Sequence, residues 1–148
     1  MADIVSPDVR SRMMSGIRAR NTKPEMLLRR ALHARGLRFR LHRKELPGKP
    51  DLVFPKWRAV VFVHGCFWHG HDCPLYREPG TRTEFWRAKI ETNRRNDVRA
   101  EALLREAGWR VATVWECAMR GKPGAPEHIA ARVGDWLDSQ QDAMEVRG

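Results

Sequence analysis

The stretch Ala59-Val-Val-Phe-Val-His-Gly-Cys-Phe-Trp-His-Gly-His-Asp-Cys73 decides how this chain is read. Its first five residues are the longest apolar run in the sequence and show no alternation, as expected of a central strand covered on both faces. The residues after it, rich in Gly, His, Cys and Pro through position 80, cannot be regular structure. A buried strand therefore runs straight into a loop that bears candidate ligands.

On the N-terminal side, Thr22-Lys-Pro-Glu25 predicts a helix start, with Thr22 as N-cap, Pro24 in the first turn and Glu25 able to close a capping box. Leu28, Ala31 and Leu32 give that helix its apolar stripe until Gly36 ends it. Leu37-Arg-Phe-Arg-Leu41 alternates with period two, Leu46-Pro-Gly-Lys-Pro50 is a turn, and Asp51-Leu-Val-Phe54 is a further β-rich run. On the C-terminal side, Thr81-Arg-Thr-Glu84 has capping-box spacing and predicts a helix to Gly108, with an interruption around 91–97. Trp109-Arg-Val-Ala-Thr-Val-Trp115 reads as a strand and 127–137 as a terminal helix. The order α-β-β-β-α-β-α predicts an α/β fold with a mixed central sheet flanked by helices. With 148 residues the chain suits one core. The divisions expected are a basic arm over 1–20, a domain over 21–137 and a polar, disordered tail over 138–148.

Charge narrows the partner. The chain holds 28 Lys and Arg against 18 Asp and Glu, a formal charge of +10. Residues 1–40 carry +7 of it, whereas residues 121–148 carry −2. Such asymmetry favours a directed contact with a polyanion, nucleic acid ahead of a membrane surface. No apolar run is long enough to span a bilayer, and Asp3, Pro7 and Asp8 break up any signal peptide near Met1. The expected setting is cytoplasmic and nucleoid-associated, with no membrane partner.

Three cysteines, Cys66, Cys73 and Cys117, make an odd count that argues against a disulfide framework. Two thiolates and an imidazole from one loop, closed by Cys117 from a distant strand end, would form a closed Cys3His zinc site with a structural role. His69 and His71 compete for its imidazole place, and the spacing leaves that open. The signatures of zinc deaminases and His-Glu-x-x-His proteases are absent.

Pro50-Asp51 opens one strand and Val61-Phe-Val-His64 ends the next. Metal-dependent nucleases place a carboxylate at such a strand start to hold Mg2+ against the scissile phosphate. Here His64 stands where a Lys is usual, and the second carboxylate is missing. Glu25 can serve either as a cap or in chemistry. Phe67 and Trp68, adjacent in a polar loop, suit a wedge that unstacks base pairs.

Pro50-Asp51, His64-Gly-Cys-Phe-Trp-His69 with His71-Asp-Cys73, Thr81-Arg-Thr-Glu-Phe-Trp86 and Val114-Trp-Glu-Cys117 together resemble the very-short-patch-repair DNA mismatch endonucleases of bacteria. The resemblance runs from the N-terminal arm to about residue 137. It implies a restriction-endonuclease-like fold and a zinc-stapled loop. It also implies nicking of one strand 5′ to the thymine of a T·G mismatch left by 5-methylcytosine deamination. On this chain it implies Mg2+ held by Asp51 and the Val63 backbone carbonyl. His69 would activate water, oriented by Glu25, with His64 at the phosphate. It gives Cys66, His71, Cys73 and Cys117 to zinc and frees His69 for chemistry. Phe67, Trp68 and Met14 become the wedge. Lys89 and Asn93, four apart on one helix face, become readers of the mismatched pair, and Asp97 becomes a candidate orienter of His69. Gly70 and Asp72 depart from histidine-rich versions of the loop and are expected to affect its surface more than catalysis. The implied partner is mismatched double-stranded DNA, met by a monomer, with mismatch-repair proteins beyond it. Two alternatives stand beside this reading: a restriction-like endonuclease without a mismatch requirement, and a non-catalytic zinc-stapled DNA-binding module.

Overall fold

A computed structural model describes residues 22–148, so the predicted arm over 1–20, with Met14, lies outside the described residues. The elements are α1 (Lys23–Ala34), β1 (Arg40–Leu41), β2 (Leu52–Phe54), β3 (Ala59–His64), α2 (Thr83–Glu106), β4 (Arg110–Trp115), α3 (Ala125–Leu137) and β5 (Ala143–Val146). The five strands form one mixed sheet in the order β1-β2-β3-β4-β5. β1 and β2 pair antiparallel, as do β2 and β3, whereas β3, β4 and β5 run parallel.

β3 is covered on both sides, as its unbroken apolar run predicts. Ala59 and Val61 face a core shared with Leu28 and Leu32 of α1 and Ile129 and Val133 of α3. Val60 and Phe62 face the other way, towards Leu104 of α2 with Val53 and Val111. Period-two alternation along the strand thus sorts its side chains between two helical layers. The expected mixed sheet between helices is what the chain forms. Loop 65–82 between β3 and α2 contains turns and no helix or strand, also as expected.

Four local expectations fail for identifiable reasons. β1 is only two residues long, because Leu37 and Phe39 pack against the core without a strand partner. α2 runs 24 residues without the interruption expected around 91–97. Asn93 and Asp97 of that segment turn to partners in loop 65–82 while its other polar residues stay exposed, and the Thr92 hydroxyl donates to the Ala88 carbonyl at 2.9 Å without breaking the helix. The capping box at Thr81 and Glu84 does not form either. The N-cap is Arg82 in the left-handed region (φ 51°), and the Thr83 hydroxyl donates back to the Pro79 carbonyl at 2.9 Å. Finally, the tail expected to be disordered contributes β5, in register with β4 through Val111–Ala143 and Val114–Val146.

β5 is held through Arg110, at the start of β4. Its guanidinium donates to the carbonyls of Leu137 (3.0 Å), Trp136 (2.5 Å), Ser139 (3.1 Å) and Gln141 (3.0 Å) and lies 4.7 Å from the Trp136 ring centroid. It thereby satisfies carbonyls at the end of α3 that have no helical partner and fixes the chain that leads into β5. The turn before β2 is equally constrained. Gly48 has φ +74°, and a Cβ there would stand 2.6 Å from Ala100 of α2. Replacing Arg110 with Ala should cost about 3 kcal/mol, roughly 10 °C in Tm, since several charge-assisted hydrogen bonds go at once. Hydrogen exchange should show the β5 amides losing protection first; unchanged protection there would contradict this role.

Candidate active site and metal clusters

The antiparallel pair of β2 and β3 brings the start of one strand to the end of the other. Asp51, just before β2, accepts a 2.7 Å hydrogen bond on Oδ2 from the Val63 N–H. This contact joins the two halves of the predicted Pro-Asp constellation and directs the Asp51 carboxylate to the edge where His64 ends β3. Burial pushes the Asp51 carboxyl up to about 8; the Val63 N–H opposes that shift, and the neighbouring Glu25 adds to it.

Glu25 is only 1% exposed. Its backbone N–H donates to the Thr22 hydroxyl at 3.4 Å, so the predicted N-cap is present. Its carboxylate, however, turns to His42 Nε2 at 2.8 Å and to Arg29 at 3.3 Å, and it shares a cluster with Asp51. His69 has a carboxylate partner of its own. Asp97, from the middle of α2, places Oδ2 2.5 Å from His69 Nδ1, because loop 65–82 folds onto that helix.

His69 stacks on His64, with centroids 3.8 Å apart and planes at 11°. Burial holds the His64 pKa well below the usual imidazole range, helped by His69 and His71 nearby. His64 is accordingly neutral at pH 7, and its Nδ1 is buried without a hydrogen-bond partner among the described residues. Asp51, His64, His69 and Asp97 line one cleft of about 710 Å3, with Lys44 and Lys49 at its side. A second hollow of about 470 Å3 shares His64 and His69 and reaches Phe67, Trp68 and Asn93.

Behind this cleft, Cys66, His71, Cys73 and Cys117 bring their ligand atoms within 4.8 Å of one another, and His69 is not among them. His71 Nδ1 lies 3.5 Å from Cys117 Sγ. Bonds of about 2.3 Å to sulfur and 2.0–2.1 Å to nitrogen would set two ligands of a tetrahedral zinc roughly 3.6 Å apart. The donor set and its spacing can therefore hold zinc. Burial pushes the Cys66 thiol up. For Cys73 burial acts in the same direction but is outweighed by the Leu75 N–H and the neighbouring thiols, so its pKa falls. The chain braces the cluster from two sides. The Glu116 carboxylate accepts from the Cys66 N–H at 3.3 Å, and Arg147, beyond β5, pairs with Asp72 at 2.8 Å. The ring of Trp115 stacks on His71 at 3.9 Å and meets His64 edge-on at 5.2 Å, which links the cluster to the cleft.

The aromatic pair does not divide into one buried and one exposed ring. Phe67 and Trp68 are both half-buried, their rings 5.2 Å apart at 84°, and Trp86 of α2 packs against each at 5.6 and 5.7 Å. The sequence reading missed Trp86; its place one turn into a helix that follows an aromatic loop was the available signal. Asn93 donates from Nδ2 to the Trp68 carbonyl at 2.8 Å, so part of its amide already serves the loop. Lys89 lies one turn earlier, half-buried. Gly70 is more than a surface change. It has φ +58°, and a Cβ there would stand 2.6 Å from Ile90. His42 was also missed. It follows β1 in the left-handed region (φ 47°), with its N–H donating to the Asp51 carbonyl at 3.2 Å.

A family model described as DNA mismatch endonuclease Vsr matches residues 2–75. The chain is 54% identical over 119 residues to the type II nicking enzyme V.XorIIP of Xanthomonas oryzae pv. oryzae, covering 80% of this chain and 88% of that protein. It is 45% identical over 147 residues to the DNA mismatch endonuclease Vsr of Escherichia coli, covering 99% and 94%. Against the type II nicking enzyme V.NmeAIP of Neisseria meningitidis it is 40% identical over 139 residues, covering 94% and 99%. With a carboxylate and paired histidines in one cleft and relatives matched along nearly its whole length, the chain belongs to the Vsr family of DNA mismatch endonucleases.

Proposed function

We propose that this endonuclease acts as a monomer and nicks one strand of duplex DNA 5′ to the thymine of a T·G mismatch, such as 5-methylcytosine deamination leaves, using Mg2+. The observation that carries the reading is the convergence of Asp51, His64 and the His69–Asp97 pair on one cleft beside an aromatic cluster.

Asp51 and the Val63 backbone carbonyl would hold the metal, and Glu25 lies beside them. A buried and a half-buried carboxylate, the latter with its pKa pushed up to about 8, form a site that a divalent cation suits. When bound, Mg2+ supplies charge stabilisation at the scissile phosphate. The remaining steps belong to the chain's own side chains. Asp97 holds His69 through Nδ1, leaving Nε2 to take a proton from the attacking water. The water oxygen bonds to phosphorus, the bond to the 3′ oxygen breaks, and the departing 3′ oxygen takes a proton from solvent water in the open cleft. The products are a 5′-phosphate and a 3′-hydroxyl. His64, neutral because it is buried, serves by hydrogen bonding at the phosphate and by fixing the plane of His69.

Phe67, Trp68 and Trp86, with Met14 from the arm, form the wedge around the mismatch. Lys89 reads base edges, while Asn93 divides its amide between that task and the Trp68 carbonyl. Zinc at Cys66, His71, Cys73 and Cys117 would keep the loop in shape, since the loop has too few apolar residues to hold itself by packing.

Cleavage-site mapping on a duplex library with T·G in varied contexts tests the function. A strand-specific nick 5′ to thymine, absent from matched controls, is expected. Equal cutting of matched DNA would favour the restriction-like alternative. Binding without any nick would favour the non-catalytic one. Asp51→Asn should lower nicking at least about a thousandfold. It should also raise Tm by several degrees at pH 8 in magnesium-free buffer. The Asp51 pKa rises from 3.8 to about 8 on folding, so ionisation costs stability as pH climbs through that window. At pH 4 the gain should largely vanish, and a gain independent of pH would contradict the assignment. Metal analysis should find one zinc per chain, and Cys117→Ser should lower Tm by roughly 10 °C or more with loss of that zinc. A zinc-free wild-type protein of equal stability would reject the site. Trp68→Ala should weaken binding to mismatched duplex at least about tenfold, at a stacking loss of about 1–3 kcal/mol, while matched-duplex affinity changes little. Equal losses on both duplexes would count against insertion there.

A further inference from the structure

His42 has no part in the mechanism above, yet it sits against the carboxylates that do. Its Nε2 is 2.8 Å from Glu25 Oε2, and the ligand atoms of Glu25, His42 and Asp51 all lie within 4.8 Å of one another. We propose that His42 is a nitrogen ligand of the metal centre, joining Glu25 and Asp51, so that the centre prefers a transition-series divalent cation such as Mn2+ over Mg2+.

Three independent observations support this. The first is spacing. Cations with bonds of about 2.1 Å set adjacent octahedral ligands roughly 3 Å apart, close to the His42–Glu25 separation. The second is backbone. His42 occupies the left-handed region (φ 47°) directly after β1, and its N–H is tied to the Asp51 carbonyl at 3.2 Å. His tolerates that conformation better than most side chains, and here its effect is to turn the imidazole towards Glu25. The third is environment. Glu25 is 1% exposed and His42 13%, so the imidazole is withdrawn from solvent into a carboxylate pair. Magnesium favours oxygen ligands and gains little from imidazole, whereas transition-series ions bind nitrogen well. One half-buried His among two carboxylates therefore shifts the preference of the centre without abolishing its use of Mg2+.

The inference rests on the reading of Asp51 as a metal ligand, and one titration separates the two. Zinc-loaded full-length protein is titrated with Mn2+, or with Mg2+, by calorimetry, and the Mn2+ complex is examined by electron spin echo spectroscopy. Wild type should show modulation from a directly bound imidazole nitrogen. His42→Ala and His42→Gln should each lose it and bind Mn2+ at least about tenfold more weakly, with the Mg2+ constant changed less than about threefold. Zinc content and melting curves identify any variant that has not folded; His42→Gln retains a hydrogen-bond donor for Glu25 and keeps the test open if His42→Ala fails. Nitrogen modulation and Mn2+ affinity unchanged in the folded variants would overturn the assignment of His42. Should Asp51→Asn abolish Mn2+ binding in that case, the Asp51 centre stands and only the His42 inference fails. Mn2+ binding unaffected by Asp51→Asn would defeat both.

Discussion

The contact between His69 Nδ1 and Asp97 Oδ2, 2.5 Å across the gap from loop to helix, is the constraint on which the cleft depends. The loop between β3 and α2 has little apolar surface of its own, so something outside it must set its shape. α2 does this along one face. Ile90 is met by Gly70, Asn93 holds the Trp68 carbonyl, and Asp97 holds His69. Positions three and four residues apart on a helix share a face, so one rigid element fixes Gly70, Trp68 and His69 in turn. At its far side the loop is tied by the Cys66, His71, Cys73 and Cys117 cluster, and Trp115 connects that cluster to His64 through stacked and edge-on rings.

The site is assembled at the expense of the fold. Half-buried Asp51 lies beside fully buried Glu25, and its carboxyl is pushed up to about 8 by desolvation and by that neighbour. His64 is buried so deeply that its charged form is suppressed, and its Nδ1 has no partner among the described residues. His42 keeps a left-handed backbone, a conformation that typically costs about 1–3 kcal/mol. Desolvated titratable groups gathered at one cleft, while the sheet on either side is packed by ordinary Val, Leu and Ala, mark the place where function rather than stability chose the residues.

Much of this was legible in the sequence. The unbroken apolar run Ala59–Val63 gave away the central strand, and its lack of alternation predicts cover on both faces. Cys66, His71, Cys73 and Cys117 form one cluster, and Asp51, His64 and His69 meet in one cleft. What the sequence hid was tertiary. The segment 91–97 reads as a helix break because it is polar, yet Asn93 and Asp97 are polar precursors of loop contacts made from the inner face of α2. Ala143–Val146 reads as tail because an edge strand of four residues needs little apolar pattern; its order comes from pairing with β4 and from Arg110 behind it. His42 carried no motif of its own, and Trp86, though it closes the quoted stretch Thr81–Trp86, had no role assigned to it. Each becomes significant only once the strand pair or the helix brings it to its neighbours.

The most direct test of the central claim is a double-mutant cycle on His69 and Asp97, read as single-turnover nicking of a T·G duplex. If Asp97 acts through His69, Asp97→Asn should slow the nick about a hundredfold, His69→Ala more, and the double variant no further than His69→Ala alone. A wild-type rate for Asp97→Asn, or losses that add in full, would contradict the account, because the loop-to-helix contact would then be scaffolding without a part in the chemistry.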